Sequence, residues 1–73
     1  MPKKEMIHYD ADRDIWTVNQ GSRLSSLRCG ECFDLAIGSA WFPCRLELDA
    51  NWYVILKGTK FTLHTRTAYT VRM

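Results

Sequence analysis

The sequence predicts a small, mainly antiparallel all-β domain, and three observations lead to this fold class. Short β-prone segments follow one another with turn signals at close, regular spacing. Several segments alternate apolar and polar residues, which is the two-residue period of a half-buried strand. The chain of 73 residues is too short for two full sheets. We therefore expect five or six strands in a small barrel, because closure removes exposed strand edges.

The N-terminal part of the chain predicts one hairpin. Residues 6–9 and 15–18 are short β-prone runs, and the polar segment 10–14 between them has the composition of a turn. Residues 23–28 are too short and too rich in serine to predict a full helix, so they predict a loop, either irregular or with one helical turn. We expect residues 1–5 to form a flexible tail.

The middle of the chain has the clearest alternation. Phe33, Leu35 and Ile37 share one parity, which predicts a strand that ends at a turn over residues 38–39. Residues 40–42 open the next strand, Pro43 interrupts it, and alternation continues after it from Cys44 to Leu48. Because proline cannot donate a ladder hydrogen bond, its presence predicts an edge or a bulge.

The C-terminal part predicts the remaining strands. Residues 52–56 are apolar on both parities, which favours a central strand covered on both faces. Residues 57–60 have the composition of a turn, alternation returns from residue 61, and residues 69–73 predict a final strand. The inward parity of these segments predicts one core containing Phe33, Leu35, Leu46, Val54, Leu63 and Val71.

Composition indicates a single domain over residues 1–73. The chain is 47% hydrophobic and contains three residues each of Phe, Trp and Tyr, which suffices for one packed core. It has neither an apolar run long enough to span a bilayer nor the apolar stretch of a signal peptide, so we expect a cytoplasmic protein. The net charge of +2 permits a nucleic-acid partner without requiring one.

A set of short motifs carries a resemblance to a known family. The motifs are the segment 27–35 with its Gly30-Glu31 turn, Trp41, the strand 44–47 with its Arg-x-Glu pattern, the Trp52-Tyr53 pair and the segment 71–73. Together they resemble DUF5348, a family of small bacterial proteins of unknown function that are encoded largely in Gram-positive bacteria and their mobile elements. The resemblance implies a compact β domain of bacterial or phage origin, and it implies no activity.

The chain also resembles SH3 domains, more weakly. Residues 9–11, Gly30-Glu31 and Trp52-Tyr53 follow the order of the tyrosine, glycine-acid and paired-aromatic elements of that fold. This implies an SH3-like barrel. The later proline and tyrosine of the SH3 peptide groove are missing, so the resemblance does not imply binding of proline-rich peptides.

The three cysteines allow two interpretations. Cys29 and Cys32 have the spacing of a zinc-binding turn, and Cys44 with His64 or His8 would complete a Cys₃His site. No second Cys-x-x-Cys pair is present, and Cys44 shares its parity with core leucines. We therefore expect reduced structural cysteines and no cofactor, with zinc at Cys29, Cys32, Cys44 and His64 as the alternative. A strand rather than a helix follows Cys32, which argues against redox catalysis.

Two predicted surfaces compete as binding sites, and no catalytic constellation accompanies them, so we expect a protein that is not an enzyme. The aromatic residues Trp41 and Tyr53 favour a protein partner, because tyrosine and tryptophan are frequent interface anchors. The alternative is a nucleic-acid surface along the last two strands, where Thr62 and Thr70 accompany a basic row of Lys57, Lys60, His64, Arg66 and Arg72. Charged residues also protect strand edges from aggregation, which is a third explanation of that row.

Overall fold

A computed structural model describes residues 3–73 and contains, over that range, eight strands and no helix. Every strand pair is antiparallel, which confirms the predicted fold class. The strands form one sheet in the order β3-β2-β1-β8-β4-β5-β6-β7. They are β1 (Lys4–Asp10), β2 (Ile15–Gln20), β3 (Arg23–Ser26), β4 (Cys32–Ile37), β5 (Ala40–Leu48), β6 (Trp52–Leu56), β7 (Thr59–Thr62) and β8 (Tyr69–Arg72).

The predicted first hairpin is confirmed. Asp10 pairs with Ile15 at the end of β1, and the side chain of Asp10 accepts hydrogen bonds from the backbone of Asp12 and from Nε of Arg13. Such local side-chain bonds are the reason that aspartate favours turns. The pairing to Arg13 holds the pKa of Asp10 below its ordinary value.

The segment predicted as a loop after β2 is instead strand β3 over its first four residues. Gly21 has a φ of 66°, so the chain reverses over Gly21 and Ser22 and returns along β2, with Gln20 opposite Arg23. Leu24 is 64% exposed at this edge of the sheet. The expected alternation is weak here because an edge strand buries little on either face.

Pro43 lies within β5 without interrupting it. It pairs with Asp34 of β4, whereas pairing of β5 with β6 begins only at Arg45. At Pro43 the strand is therefore paired on one side, which is the edge condition that the missing N–H predicts.

The sheet curls around one apolar core. Its inner face buries residues from β1, β2, β4, β5, β6 and β8 in a single cluster, so the apolar residues of β2 and β6 meet although four strands separate them in the sheet. The predicted core is confirmed in full by the buried Phe33, Leu35, Leu46, Val54, Leu63 and Val71. The core named from the sequence did not include Ile7, Trp16, Val18 or Leu27, which are also buried.

The prediction of a closed SH3-like barrel with five or six strands is not supported. The structure has eight strands, and its end strands β3 and β7 are not neighbours in the sheet. Trp52, a member of the SH3-like aromatic pair, is buried in the core rather than exposed in a groove. Curling lets one sheet cover its own apolar face without pairing its edges.

The two ends of the chain meet in the middle of the sheet. β8 lies between β1 and β4, and the backbones of Lys3 and Met73 exchange hydrogen bonds of 2.9 and 3.1 Å. Residues 1 and 2 of the predicted flexible tail lie outside the described range. Lys4 and Glu5 differ from that prediction because they pair with Arg72 and Val71 as part of β1.

The strand β6 also differs from its prediction. Trp52 and Val54 are buried against the core, but Tyr53 and Ile55 on the other face are only half-buried. Its continuous apolar run therefore places two apolar side chains on the surface. Between residues 3 and 73 there is no helix long and apolar enough to cross a membrane.

Candidate functional site

The candidate site is the surface of strands β8, β4, β5, β6 and β7 that points away from the core, here called the outer face. The pairing register places on it twelve side chains that are exposed or half-buried. They are Arg72, Cys32, Asp34, Ala36, Trp41, Pro43, Arg45, Glu47, Tyr53, Ile55, Lys60 and Thr62. Both predicted aromatic anchors are therefore on one surface.

The first group on the outer face joins three strands around Trp41. The guanidinium of Arg72 on β8 lies 4.6 Å from the centre of the Trp41 ring on β5. Its Nε and Nη2 donate to Oδ2 of Asp34 on β4, at 3.2 and 3.1 Å. Stacking and a charge-assisted hydrogen-bond pair thus hold the same guanidinium from two sides.

A second group contains Tyr53. The ammonium of Lys60 on β7 lies 4.3 Å from the centre of the Tyr53 ring on β6. Tyr53 pairs with Glu47 of β5, whose carboxylate accepts a hydrogen bond of 2.6 Å from Nε of Arg45. Each aromatic ring on this face is thus covered by a cation.

The two rings lie at opposite ends of the outer face. Trp41 is near the start of β5, and Tyr53 lies beside Glu47 near its end, so about 20 Å separates them at roughly 3.4 Å per residue. A hollow of about 260 Å³ opens beside Trp41, with Lys4, Ala36, Ser39 and Thr70 in its wall. A partner that contacts both rings must therefore cover most of the length of β5.

The predicted basic row is not contiguous. β8 and β7 are separated in the sheet by β4, β5 and β6, which puts Arg72 about 19 Å from the strand of Lys60 at roughly 4.8 Å per strand. His64 and Arg66 lie beyond the end of β7, in a loop where the backbone N–H of His64 donates to the hydroxyl of Tyr69. Lys57 lies in the β6–β7 turn with its ammonium 5.1 Å from the centre of the Phe42 ring. Alternation along the chain did not reveal that the C-terminal strand is inserted elsewhere in the sheet.

The four residues of the predicted zinc site are not brought together. Cys32 pairs with Arg45 and Phe33 pairs with Cys44, so the side chains of Cys32 and Cys44 point to opposite faces of the sheet. Cys44 is buried, as predicted for a structural cysteine, and burial raises the pKa of its thiol to about 12. Cys29, Cys32 and His64 are exposed. Over residues 3–73, no group of three or more His, Cys, Asp or Glu side chains is arranged to hold a metal ion.

Sequence analysis missed the acidic partners on the outer face. Asp34 and Glu47 orient Arg72 and Arg45, and neither acid was predicted as a site residue. A signal for Glu47 was present, since Arg45 and Glu47 share the outward parity of β5 and can meet on one face. The contact of Asp34 with Arg72 depends on the position of β8 in the sheet and has no local signal.

Comparisons with known proteins agree with this architecture. The family model described as "Domain of unknown function (DUF5348)" matches residues 5–73. A crystal structure of a protein from Ruminococcus gnavus, a structural-genomics target, is similar over 97% of this chain and 100% of that chain, at 25% sequence identity and a TM-score of 0.75. A comparison with curated proteins gives no match.

Proposed function

The chain belongs to the DUF5348 family, and on that premise we propose that it is a non-enzymatic module that binds a protein partner through its outer face. The observation that carries the proposal is the placement of Trp41 and Tyr53 on one surface, each half-buried and each covered by a cation. Tryptophan, tyrosine and arginine are the residues most enriched among the side chains that dominate interface energies.

The outer face is ordered before any partner binds. Arg72 is held by both Asp34 and Trp41, and Arg45 is held by Glu47. Immobilising a long side chain costs about 0.5–1.5 kcal/mol at an interface, and here that ordering is largely complete in the free protein. The hollow beside Trp41 offers space for an apolar side chain of the partner.

The charges on the outer face specify the chemistry of the partner. Arg45 is 51% exposed whereas its acid Glu47 is 26% exposed, and Lys60 is exposed without a carboxylate partner among the described ion pairs. Solvent therefore meets the cations more than the acids. We propose a partner surface that combines an apolar anchor with carboxylates.

A nucleic-acid partner is the second candidate. Stacking of bases on Trp41 and Tyr53 with phosphates on the nearby cations is the arrangement that single-strand binding requires. Against it, the strand order disperses the cations across the sheet, and Arg72 and Arg45 form ion pairs with Asp34 and Glu47. For either partner, we also propose that the chain has a bacterial or mobile-element origin and a cytoplasmic location.

The test compares two aromatic truncations with a matched truncation elsewhere. Tagged wild type, Trp41→Ala, Tyr53→Ala and Leu24→Ala are used to capture binding proteins, which are quantified by mass spectrometry and then titrated as purified candidates. We expect an acidic protein whose affinity falls about 30-fold with either aromatic change, since loss of such an anchor costs about 2 kcal/mol or more. Leu24→Ala, on the exposed edge strand, retains binding.

A parallel gel-shift titration decides the nucleic-acid alternative. Wild type and the double variant Lys60→Glu and Arg66→Glu are titrated against single-stranded and duplex DNA at two salt concentrations. Tight binding that weakens steeply with salt and disappears in the double variant would replace the protein partner with nucleic acid, because each neutralised duplex phosphate releases about 0.9 counterion. A protein partner that binds both aromatic variants as well as wild type would contradict the outer-face proposal directly.

A further inference from the structure

A second candidate site lies where a turn leads into β4. Cys29 and Cys32 are both exposed and both free. The backbone N–H of Glu31 donates to the carbonyl of Arg28 at 3.2 Å, which closes a β-turn, and Gly30 has the positive φ of 89° that the third position of a type II turn requires. Cys29 therefore lies in a defined turn and not in an irregular loop, and Cys32 is the first residue of the strand that follows.

Backbone hydrogen bonds fix this turn on both sides. Before it, the N–H of Leu27 donates to the carbonyl of Trp16 at 2.8 Å. Within it, the N–H of Gly30 donates to the carbonyl of Leu46 at 2.7 Å, and the N–H of Leu46 donates to the carbonyl of Glu31 at 2.9 Å. The thiol of Cys32 lies 3.8 Å from the carbonyl of Gly30, so its side chain folds back over the turn that carries Cys29. Two thiols are thus presented to solvent from a rigid support.

Residues 3–73 supply no further ligand for a metal at this turn. A structural zinc ion takes four ligands in a tetrahedron. Cys44 points to the opposite face of the sheet, and in the part of the chain that the structure describes no third His, Cys, Asp or Glu completes a metal-binding group. A site built on Cys29 and Cys32 is consequently half of a tetrahedron.

We propose that Cys29 and Cys32 form half of a thiolate site for zinc or a similarly thiophilic divalent cation, and that the same pair from a second copy of the chain completes it. A two-fold axis through the metal makes the two turns equivalent, which is the commonest symmetry of homodimers. Formation is a ligand exchange in which four thiol protons pass to solvent and no electron is transferred. The site borders the outer face, because Cys32 lies opposite Arg45 there, but it includes neither Trp41 nor Tyr53.

The test adds zinc to the reduced, metal-free full chain. After gel filtration in the presence of a metal-free reductant, the metal content is measured by elemental analysis and the mass by native mass spectrometry. We expect one zinc per two chains and a particle of twice the 8.5 kDa chain mass, which a chelator converts to monomer. Cobalt in place of zinc produces the intense visible absorption of a tetrahedral thiolate complex.

Four variants separate this proposal from its alternatives. Cys29→Ser and Cys32→Ser each lose both the zinc and the dimer, whereas Cys44→Ala retains them because Cys44 faces the core. Trp41→Ala also retains the zinc and the dimer. The outer-face proposal can therefore fail while this proposal holds, and this proposal can fail while the outer-face proposal holds. A monomer with one zinc per chain, a dimer that forms without metal, or a zinc dimer that survives Cys29→Ser would each overturn the proposal.

Discussion

At the scale of single residues, Asp14 joins the first hairpin to the far side of the sheet. It has a φ of 51°, in the left-handed region that aspartate tolerates better than most residues. Its carboxylate accepts hydrogen bonds from the hydroxyl of Tyr9 and, at 3.2 Å, from Nε1 of the buried Trp52 on β6. The sequence around Asp14 indicates only a turn, yet its carboxylate accepts the hydrogen bond of the Trp52 indole N–H, 38 positions further along the chain.

The Asp14 interaction predicts a specific titration behaviour. The hydrogen bond to Asp14, followed by desolvation and nearby negative charge, raises the pKa of Tyr9 above its ordinary value of 10.0. Because the pKa is raised in the folded state, this interaction contributes stability below pH 10.0 and loses it as the pH rises through the folded pKa. Asp14→Asn removes the charge while retaining an acceptor for Trp52.

The measurement is an ultraviolet pH titration of wild type from which the titration curve of Tyr9→Phe is subtracted. We expect the difference to show one tyrosine with a pKa above 10.0. We expect Asp14→Asn to lower the pKa of that tyrosine. An unchanged titration in Asp14→Asn would show that the Tyr9 hydroxyl does not donate to this carboxylate in solution.

At the scale of elements, turn chemistry sets the register of the hairpins. Leu56 pairs with Thr59, so Lys57 and Gly58 alone connect β6 to β7, and both have positive φ values, of 50° and 72°. Two positive φ values are the requirement of a type I′ turn, in which asparagine or glycine normally precedes the glycine. Gly58 adopts its positive φ without strain, whereas the positive φ of Lys57 is unfavourable for a lysine.

This turn predicts a difference between two substitutions at one position. Lys57→Asn and Lys57→Ala both remove the ammonium from the Phe42 ring, but only asparagine tolerates the left-handed conformation. We expect the free energy of unfolding of Lys57→Asn to exceed that of Lys57→Ala by about 1 kcal/mol, measured by urea denaturation. Equal stability of the two variants would mean that the turn is not of this type in solution.

At the scale of the whole molecule, one curled sheet replaces two packed layers. β8 is the last strand in the chain and lies near the middle of the sheet, where it pairs with β1 on one side and β4 on the other. The core consequently joins residues that are distant in sequence, such as Ile7, Leu46 and Val71. Loss of a side chain from this shared core weakens several strands at once.

A matched pair of leucine truncations tests the position of the core. Leu46 is fully buried, and Leu24 is 64% exposed on the edge strand β3. We expect Leu46→Ala to lower the free energy of unfolding by roughly 2–5 kcal/mol, through lost transfer energy and the cavity that remains. Leu24→Ala is expected to change it by no more than about 0.5 kcal/mol. Similar losses in both variants, measured by urea denaturation, would contradict the described core.

The sequence by itself determined the strand class, most strand positions and the inward parity of the core. The burial of Phe33, Leu35 and Cys44 follows from alternation, because successive side chains of a strand point to opposite faces whatever its neighbours are. β3 escaped prediction because an edge strand with exposed residues has no apolar alternation to detect.

Only the tertiary structure decided which strands are neighbours, and that choice determined the candidate sites. It placed β8 beside β4, which brought Arg72 to Asp34 and Trp41 and separated Arg72 from Lys60. It also left Cys29 exposed in a turn and Cys32 exposed at the start of β4. Alternation specifies the face on which a side chain lies, whereas neighbours depend on which arrangement of all the strands buries the most apolar surface, and no single segment contains that information.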